Sequence, residues 1–234
     1  MRDAIREILG NTQYFGLTVS VGAYLFALWL KNKTGLAILN PLLVSAALII
    51  GLLLGVGMDY ETYNKGASYL SWLLTPATVC LAIPLYKQLH LLRKHGAAVA
   101  VGITSGVVTS AVSIFLLSKV FGLSYTHYVT MLPKSITTAI GMGVSEEAGG
   151  IVTLTVMCIV LTGVLGNMTG ELILKLAGIH HPVARGLAMG TSAHAIGTAR
   201  ALEMGEVEGA MSSLSIAVAG LMTVVAVPIA AGLF

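Results

Sequence analysis

The amino-acid sequence predicts an all-α polytopic membrane protein. Of its 234 residues, 56% are hydrophobic and only 10% are charged, whereas an average soluble domain carries roughly 25% charged residues. The mean hydropathy is +0.89, which favours lipid over water as the solvent. A soluble globule of this size needs a charged surface, so this composition excludes most soluble enzymes.

Six stretches free of Asp, Glu, Lys and Arg are long enough to cross the hydrocarbon core of a bilayer, which takes about 20 helical residues. They are 8–30, 34–58, 66–86, 96–118, 148–170 and 209–234. The first stretch ends without a small-x-small cleavage pattern, so we expect a retained first helix. With the segments between them, these stretches predict about 7–10 transmembrane or re-entrant helices in a single membrane domain, 1–234.

Other segments are apolar but make poor continuous helices. Prolines interrupt 72–86, 121–145 and 180–202, and glycines accumulate in the latter two. An interior proline removes a backbone hydrogen bond, and broken backbone in a membrane is tolerated only where protein buries it or where it lines a cavity. We therefore predict two discontinuous helices, broken at 75–84 and 190–198. The sequence leaves open whether 121–145 crosses the membrane or re-enters.

An internal duplication is predicted by shifting the chain by 116 residues, which gives possible repeat halves 12–118 and 128–234. Under this shift Lys31 falls on Glu147 and Lys87 on Glu203. Equivalent loops of opposite charge are typical of an inverted repeat, because basic loops remain in the cytoplasm. The basic loops 31–33 and 87–94 are then cytoplasmic. Glu146 lies outside only if the segment before it re-enters.

The candidate functional residues are polar groups in or beside the broken segments. Lys134 either snorkels to the interface or pairs with an anion. Arg185 is either an interfacial anchor or a bidentate carboxylate ligand. His194 either makes an interhelical hydrogen bond or couples protons. The remaining candidate substrate-binding residues are Thr75, Pro76, Ser135, Thr137, Thr138, Thr191, Ser192 and Thr198.

Signatures of soluble enzymes and metal sites are absent from the sequence. It holds no phosphate-binding glycine loop with its lysine, no G-x-S-x-G motif and no Cys or His pair at metal-ligand spacing. Cys80 and Cys158 lie in apolar stretches, which is typical of small core residues. We expect neither enzymatic activity nor a cofactor, a metal or a nucleic-acid partner.

Several motifs in series resemble the LrgB/CidB membrane family. They are TPA (75–77), AIPLYK (82–87), MLPKSITT (131–138), ARGLAMGT (184–191) and HAIGTA (194–199). Their order and spacing match the family pattern from about Asn40 to Pro228.

The resemblance implies a multi-pass protein of the bacterial inner (plasma) membrane with a small LrgA/CidA-like, holin-like partner. It implies one of two functions. The first is secondary transport of small monocarboxylates such as pyruvate or glycolate, as in the related plastidial glycolate/glycerate translocators. The second is holin- or antiholin-like modulation of murein hydrolase activity and autolysis without a defined solute. In the first case the candidate residues bind the carboxylate and His194 couples protons. We also expect a homo-oligomer in the lipid bilayer.

Overall fold

The computed structural model describes residues 12, 14–34, 39–73, 76, 79–80, 83, 86 and 89–234. Within these ranges the chain forms nine helices and no strand, which confirms the predicted fold class. The described residues divide into two compact units after Cys80. The helices are α1 (Phe15–Thr34), α2 (Pro41–Val56), α3 (Tyr60–Trp72), α4 (Leu89–Val120), α5 (Tyr125–Met131), α6 (Thr138–Glu147), α7 (Val152–Leu176), α8 (Pro182–Met204) and α9 (Glu206–Ala231).

The first unit contains α1, α2 and α3, with α1 packed against both of the others. Asn40 caps α2, because its side chain accepts hydrogen bonds from the backbone N–H groups of Leu42 and Leu43. Pro41 occupies the first turn, where its missing N–H costs nothing. The helix ends at Gly57, which adopts a left-handed conformation with φ 71°.

The second unit contains three helices that are long and apolar enough to cross a membrane. They are Gly96–Val120 within α4, Val152–Leu176 (α7) and Glu206–Ala231 (α9). These helices confirm the spans predicted at 96–118, 148–170 and 209–234, each within a few residues at its ends. The chain is therefore a membrane protein by the length and apolar composition of its helices.

The chain reverses direction within the segment 121–145, as a re-entrant segment does. Its helices α5 and α6 have 7 and 10 residues, so at 1.5 Å per residue neither approaches the roughly 30 Å of the hydrocarbon core. Thr155, near the start of α7, donates to the Thr130 carbonyl of α5 (2.9 Å) and bonds the Ser145 hydroxyl of α6 (2.6 Å). The end of α6 therefore lies beside α5. We call α5 and α6 the first hairpin and residues 132–137 its tip.

Helix α8 is broken at the position predicted for the second discontinuous helix. Ala193 (φ −129°, ψ 15°) and His194 (φ 41°, ψ −139°) leave the helical region. A Cβ placed on Gly197 would lie 2.8 Å from the carbonyl oxygen of Met189, eight residues earlier. In a continuous helix these residues are about 12 Å apart. The two arms, 182–193 and 195–204, are therefore antiparallel, and we call them the second hairpin.

The two hairpins enter the second unit from opposite ends. Tyr128 of the first donates to the carbonyl of Ala230, at the end of α9 (2.9 Å), whereas Arg185 of the second pairs with Glu208, at the start of α9. Their tips approach the middle of this helix, where Gly190 lies against Ser215. Most of the other predicted break, 75–84, lies outside the described residues. The single domain and the repeat halves 12–118 and 128–234 stay predictions.

Candidate functional site

A cavity of about 550 Å³ lies in the second unit, between the tip of the first hairpin, α4, α7 and the first arm of α8. Nine of its lining residues carry a hydroxyl group, and Lys134 is the one charged residue among the described residues that line it. The polar lining is Ser105, Thr109, Ser110, Ser113, Lys134, Ser135, Thr162, Thr169, Thr191 and Ser192. Hydroxyl groups and one cation therefore line a cavity that lies between helices apolar enough to span a membrane.

Lys134 places a cation at this cavity. The turn after α5 positions it, since the Lys134 N–H donates to the Met131 carbonyl (3.1 Å). Its Nζ donates to the Ser135 hydroxyl (3.0 Å). Within the described part of the chain, no carboxylate lies within 4.0 Å of this Nζ. Lys134 therefore faces the cavity without a counter-ion from these residues, and its ammonium has donors left for an anion.

The hydroxyl groups around Lys134 are held by their own helices. Thr191 donates to the Leu187 carbonyl (2.8 Å) and Ser192 to the Ala188 carbonyl (2.6 Å). A hydroxyl that donates in this way keeps lone pairs that accept a hydrogen bond. The cavity therefore combines one cation with several acceptors. This combination suits a small anion that also carries a hydroxyl group.

His194 and Thr198 do not line the cavity but hold the tip of the second hairpin. The His194 side chain is buried, and its Nε2 donates to the Ile159 carbonyl of α7 (2.9 Å). The Thr198 hydroxyl donates to the carbonyl of His194 (3.0 Å) and bonds the Ser212 hydroxyl of α9 (2.6 Å). These bonds fix the broken backbone to both neighbouring spans.

Arg185 lies at the base of the second hairpin and is absent from the lining of the cavity. Its guanidinium is 3.3 Å from the Glu208 carboxylate and 3.9 Å from that of Glu171. Glu171 also pairs with Lys175 and with Arg200 of the second arm. These ion pairs join α7, both arms of α8 and α9. The predicted role of Arg185 as a carboxylate ligand stays a prediction.

The structure brings four predicted site residues together at the cavity, namely Lys134, Ser135, Thr191 and Ser192. Thr137 caps α6 without a side-chain hydrogen bond and Thr138 begins that helix, and neither lines the cavity. Pro76 belongs to the first unit, is helical and is exposed. Thr75 lies outside the described residues.

Sequence reasoning missed the contribution of α4 and α7. Ser105, Thr109 and Ser113 recur every fourth residue, which places them on one face of a helix, and all three line the cavity. Thr162 and Thr169 line it from α7. The four-residue spacing of the hydroxyl groups of α4 was the signal available.

The sequence of this chain matches a known protein family over most of its length. Residues 20–233 match the LrgB-like family. The chain belongs to this family. Over 218 residues, this LrgB-like chain is 40% identical to the antiholin-like protein LrgB of Bacillus cereus (strain B4264), covering 93% of this chain and 95% of the relative. The antiholin-like protein LrgB of Bacillus anthracis (strain CDC 684 / NRRL 3495) matches with the same values. No solved structure is a significant match.

Membership of the LrgB-like family confirms the resemblance that the motifs predicted. Together with the three apolar helices, it identifies a membrane protein. It is also consistent with the expectation that the chain is not an enzyme.

Proposed function

We propose that this LrgB-like chain is a secondary transporter of small monocarboxylates across the bacterial inner membrane. Its substrates are pyruvate, glycolate or similar 2-oxo and 2-hydroxy acids, and it works with a small LrgA/CidA-like membrane protein. The observation that carries this proposal is the position of Lys134, a cation without a described counter-ion in a hydroxyl-lined cavity between membrane-length helices.

The charge of the cavity supports a monoanion as substrate. An ionisable residue within a membrane protein is costly and commonly marks a substrate or ion pathway. Lys134 neutralises one carboxylate. A dicarboxylate would leave its second charge without a partner among the described lining residues. When the substrate is a 2-hydroxy acid such as glycolate, the hydroxyl groups of Thr191 and Ser192 accept from its 2-hydroxyl group.

The opposed hairpins support transport rather than simple binding. Each ends inside the second unit, and each enters it from a different end. Broken segments that meet at the middle of the membrane are typical of secondary transporters, whose sites are reached alternately from the two sides. His194, at the tip of the second hairpin, is our candidate for proton coupling.

Uptake into liposomes tests the role of Lys134. Protein reconstituted with and without its LrgA/CidA-like partner is expected to accumulate labelled pyruvate or glycolate under an imposed proton gradient. Lys134→Met should lower uptake about tenfold or more, because a hydrogen bond to a charged group is worth roughly 1.5–3 kcal/mol. Lys175→Gln is the matched control, since Lys175 is 63% exposed in its ion pair, and should keep uptake within about twofold. Absence of uptake across a panel of such acids, with the partner present, contradicts the proposal.

His194→Gln tests proton coupling separately from binding. A glutamine amide donates to the Ile159 carbonyl as the imidazole Nε2 does, but it does not titrate. Exchange of labelled substrate between equal concentrations should therefore persist in His194→Gln, while accumulation driven by the proton gradient is lost. Accumulation at the wild-type level would show that His194 is not the coupling group.

The names of the relatives favour a second candidate function, because both proteins described above are called antiholin-like. In this alternative the chain modulates murein hydrolase activity and autolysis without moving a solute. Scoring autolysis and uptake in the same strains separates the candidates. Lys134→Met should change both if transport underlies autolysis. A change in autolysis on expression of the wild-type chain, with no uptake by the wild-type or variant protein, supports the alternative.

A further inference from the structure

A second, much smaller cavity of about 20 Å³ lies beside the large one. The two share Ser110, Ser135 and Thr191, and the small cavity adds Thr223 from α9. Four hydroxyl groups from α4, the first hairpin, the second hairpin and α9 therefore surround it. The rest of its lining is apolar and comes chiefly from α4, the first hairpin and α9.

We propose that this cavity is a binding site for one water molecule, which bridges the tips of the two hairpins. A cavity holds a water molecule when about 10–15 Å³ is open to the centre of a water-sized sphere, and the water needs two to four polar partners. The volume fits one molecule, and four hydroxyl groups are present. The site is independent of whether the large cavity carries a monocarboxylate.

The hydrogen-bonding capacity of the four side chains matches that of a water molecule. Thr191 and Thr223 already donate to carbonyl groups of their own helices, at 2.8 and 2.7 Å, so toward the cavity they act as acceptors. Ser110 and Ser135 are 3.4 Å apart at their oxygen atoms, a long contact, and Ser135 accepts from Lys134. One serine donates its hydroxyl hydrogen to the other across this contact, which leaves the second serine with a hydroxyl hydrogen to donate into the cavity. A water can therefore donate to the two threonines and accept from this serine, which gives three hydrogen bonds, within the two to four that a buried water makes.

The neighbouring charge favours water over a cation. Hydroxyl oxygens also bind hard cations such as Na⁺. However, the Lys134 Nζ is 3.0 Å from the Ser135 oxygen, so a metal ion in the small cavity would meet a like charge in a poorly solvated place. A neutral molecule avoids this repulsion, and a larger polar ligand exceeds the volume.

This water would link the first hairpin, the second hairpin and α9 by hydrogen bonds where they make none directly. Within the described part of the chain, no direct hydrogen bond joins Ser135 to Thr191 or to Thr223. One bridging water would connect the first hairpin to the second hairpin and to α9. It would hold the Ser135 hydroxyl, which accepts from Lys134, in position.

A double-mutant cycle on thermal unfolding tests the proposal in the purified full-length protein. Ser110→Ala and Thr223→Val each remove one hydroxyl group, and valine keeps the shape of threonine. Each should lower Tm by about 2–4 °C, the size expected for one lost hydrogen bond in a chain of this length. The double variant should lose less than the sum of the two single losses, because the second change acts on a water that the first has already weakened. Additive losses would overturn the proposal.

Thr109→Val provides the matched control for this cycle. Thr109 lies on α4 one residue before Ser110 and lines the large cavity but not the small one. Its effect should add to that of Thr223→Val. Repeating the cycle in sodium-free choline buffer distinguishes the ligands, since coupling that vanishes without Na⁺ would assign a cation instead of water.

A crystal structure of the wild-type protein that resolves ordered water supplies the second measurement, should the variants fail to fold. A density peak about 2.7–3.2 Å from at least three of the four hydroxyl oxygens supports the site. The absence of a peak overturns it. A peak at about 2.3–2.6 Å, the distance of a hard cation such as Ca²⁺, also overturns it.

Discussion

His194 adopts a backbone conformation that residues with a Cβ rarely occupy. Its φ of 41° is positive, and among the described non-glycine residues it is the one with this property. Such a conformation costs roughly 1–3 kcal/mol and persists only where the surroundings enforce it. Here the Ile159 carbonyl binds the ring and the Thr198 hydroxyl binds the backbone carbonyl. These two hydrogen bonds therefore stabilise the strained backbone of His194.

This strain predicts an inverted order of stability for two substitutions. In the interior of a helix, alanine is normally more stabilising than glycine by about 1 kcal/mol. At position 194, both His194→Gly and His194→Ala lose the imidazole, but only glycine accommodates the positive φ without strain. His194→Gly should therefore unfold at a Tm about 2–4 °C above that of His194→Ala. At the exposed Ala199 of the second arm, Ala199→Gly should lower Tm instead. Equal or reversed Tm values at position 194 would contradict the strained conformation.

The sequence predicted the cation and the nearest hydroxyl groups of the site but not its full lining. Lys134, Ser135, Thr191 and Ser192 were found because they interrupt apolar segments. Ser110 was not, because it lies within a span where small residues also serve helix packing. Arg185 was a reasonable candidate, yet its carboxylate partners Glu171 and Glu208 come from other helices, and no pattern within one segment reveals such pairing.

The first arm of the second hairpin packs against α9 at backbone distance, and Gly190 permits this. A Cβ on Gly190 would lie 2.4 Å from the Ser212 carbonyl oxygen and 2.9 Å from its Cα. Backbone atoms do not move aside as a flexible side chain does. Gly190→Ala should therefore lower stability by about 1–3 kcal/mol, seen as a lower Tm. Gly143→Ala in α6 is the control, since nothing lies within 4 Å of its Cβ. It should raise Tm slightly, and a loss equal to that of Gly190→Ala would count against the close contact.

The ion pairs at the base of the second hairpin predict a large difference between two glutamates. Glu171 pairs with Lys175, Arg185 and Arg200 and is 22% exposed at its side chain, whereas Glu203 pairs with Arg200 alone and is 57% exposed. Glu171→Gln should lower Tm by several degrees because three cations lose their shared carboxylate. Glu203→Gln should change stability by less than about 1 kcal/mol. A Glu171→Gln effect no larger than that of Glu203→Gln would mean that the shared carboxylate of Glu171 does not stabilise the base.

At the level of elements, the sequence located the break in α8 but not the direction of the chain after it. Proline and glycine within apolar segments mark interruptions, and the break in α8 falls inside the predicted range 190–198. The turn itself occurs at Ala193 and His194, which have no strong turn preference. The reversal depends on contacts with α7 and α9, so it belongs to tertiary structure. For 121–145, the contacts of Thr155 with both Thr130 and Ser145 show that the chain reverses, and these contacts too come from another helix.

Across the second unit, re-entry of the two hairpins predicts which chain positions share a side of the membrane. Lys119 at the end of α4 and Glu147 at the end of α6 flank the first hairpin, and His180 and Glu206 flank the second. Because α7 crosses between the hairpins, the two pairs face opposite sides. The predicted cytoplasmic position of the basic loop 87–94, at the start of α4, then places the first pair outside and the second pair in the cytoplasm.

Cysteine accessibility in cells tests this arrangement. In a background in which Cys80 and Cys158 are replaced by alanine, single substitutions Lys119→Cys, Glu147→Cys, His180→Cys and Glu206→Cys place a thiol at four exposed positions. A membrane-impermeant maleimide should label the first two in intact cells and the last two only in inverted vesicles. If 121–145 crossed the membrane, Lys119→Cys and Glu147→Cys would label from opposite sides. If α8 were one continuous span, the same separation would appear between His180→Cys and Glu206→Cys. Labelling of each pair from one side therefore requires both reversals of the chain, and it does so without reference to the substrate.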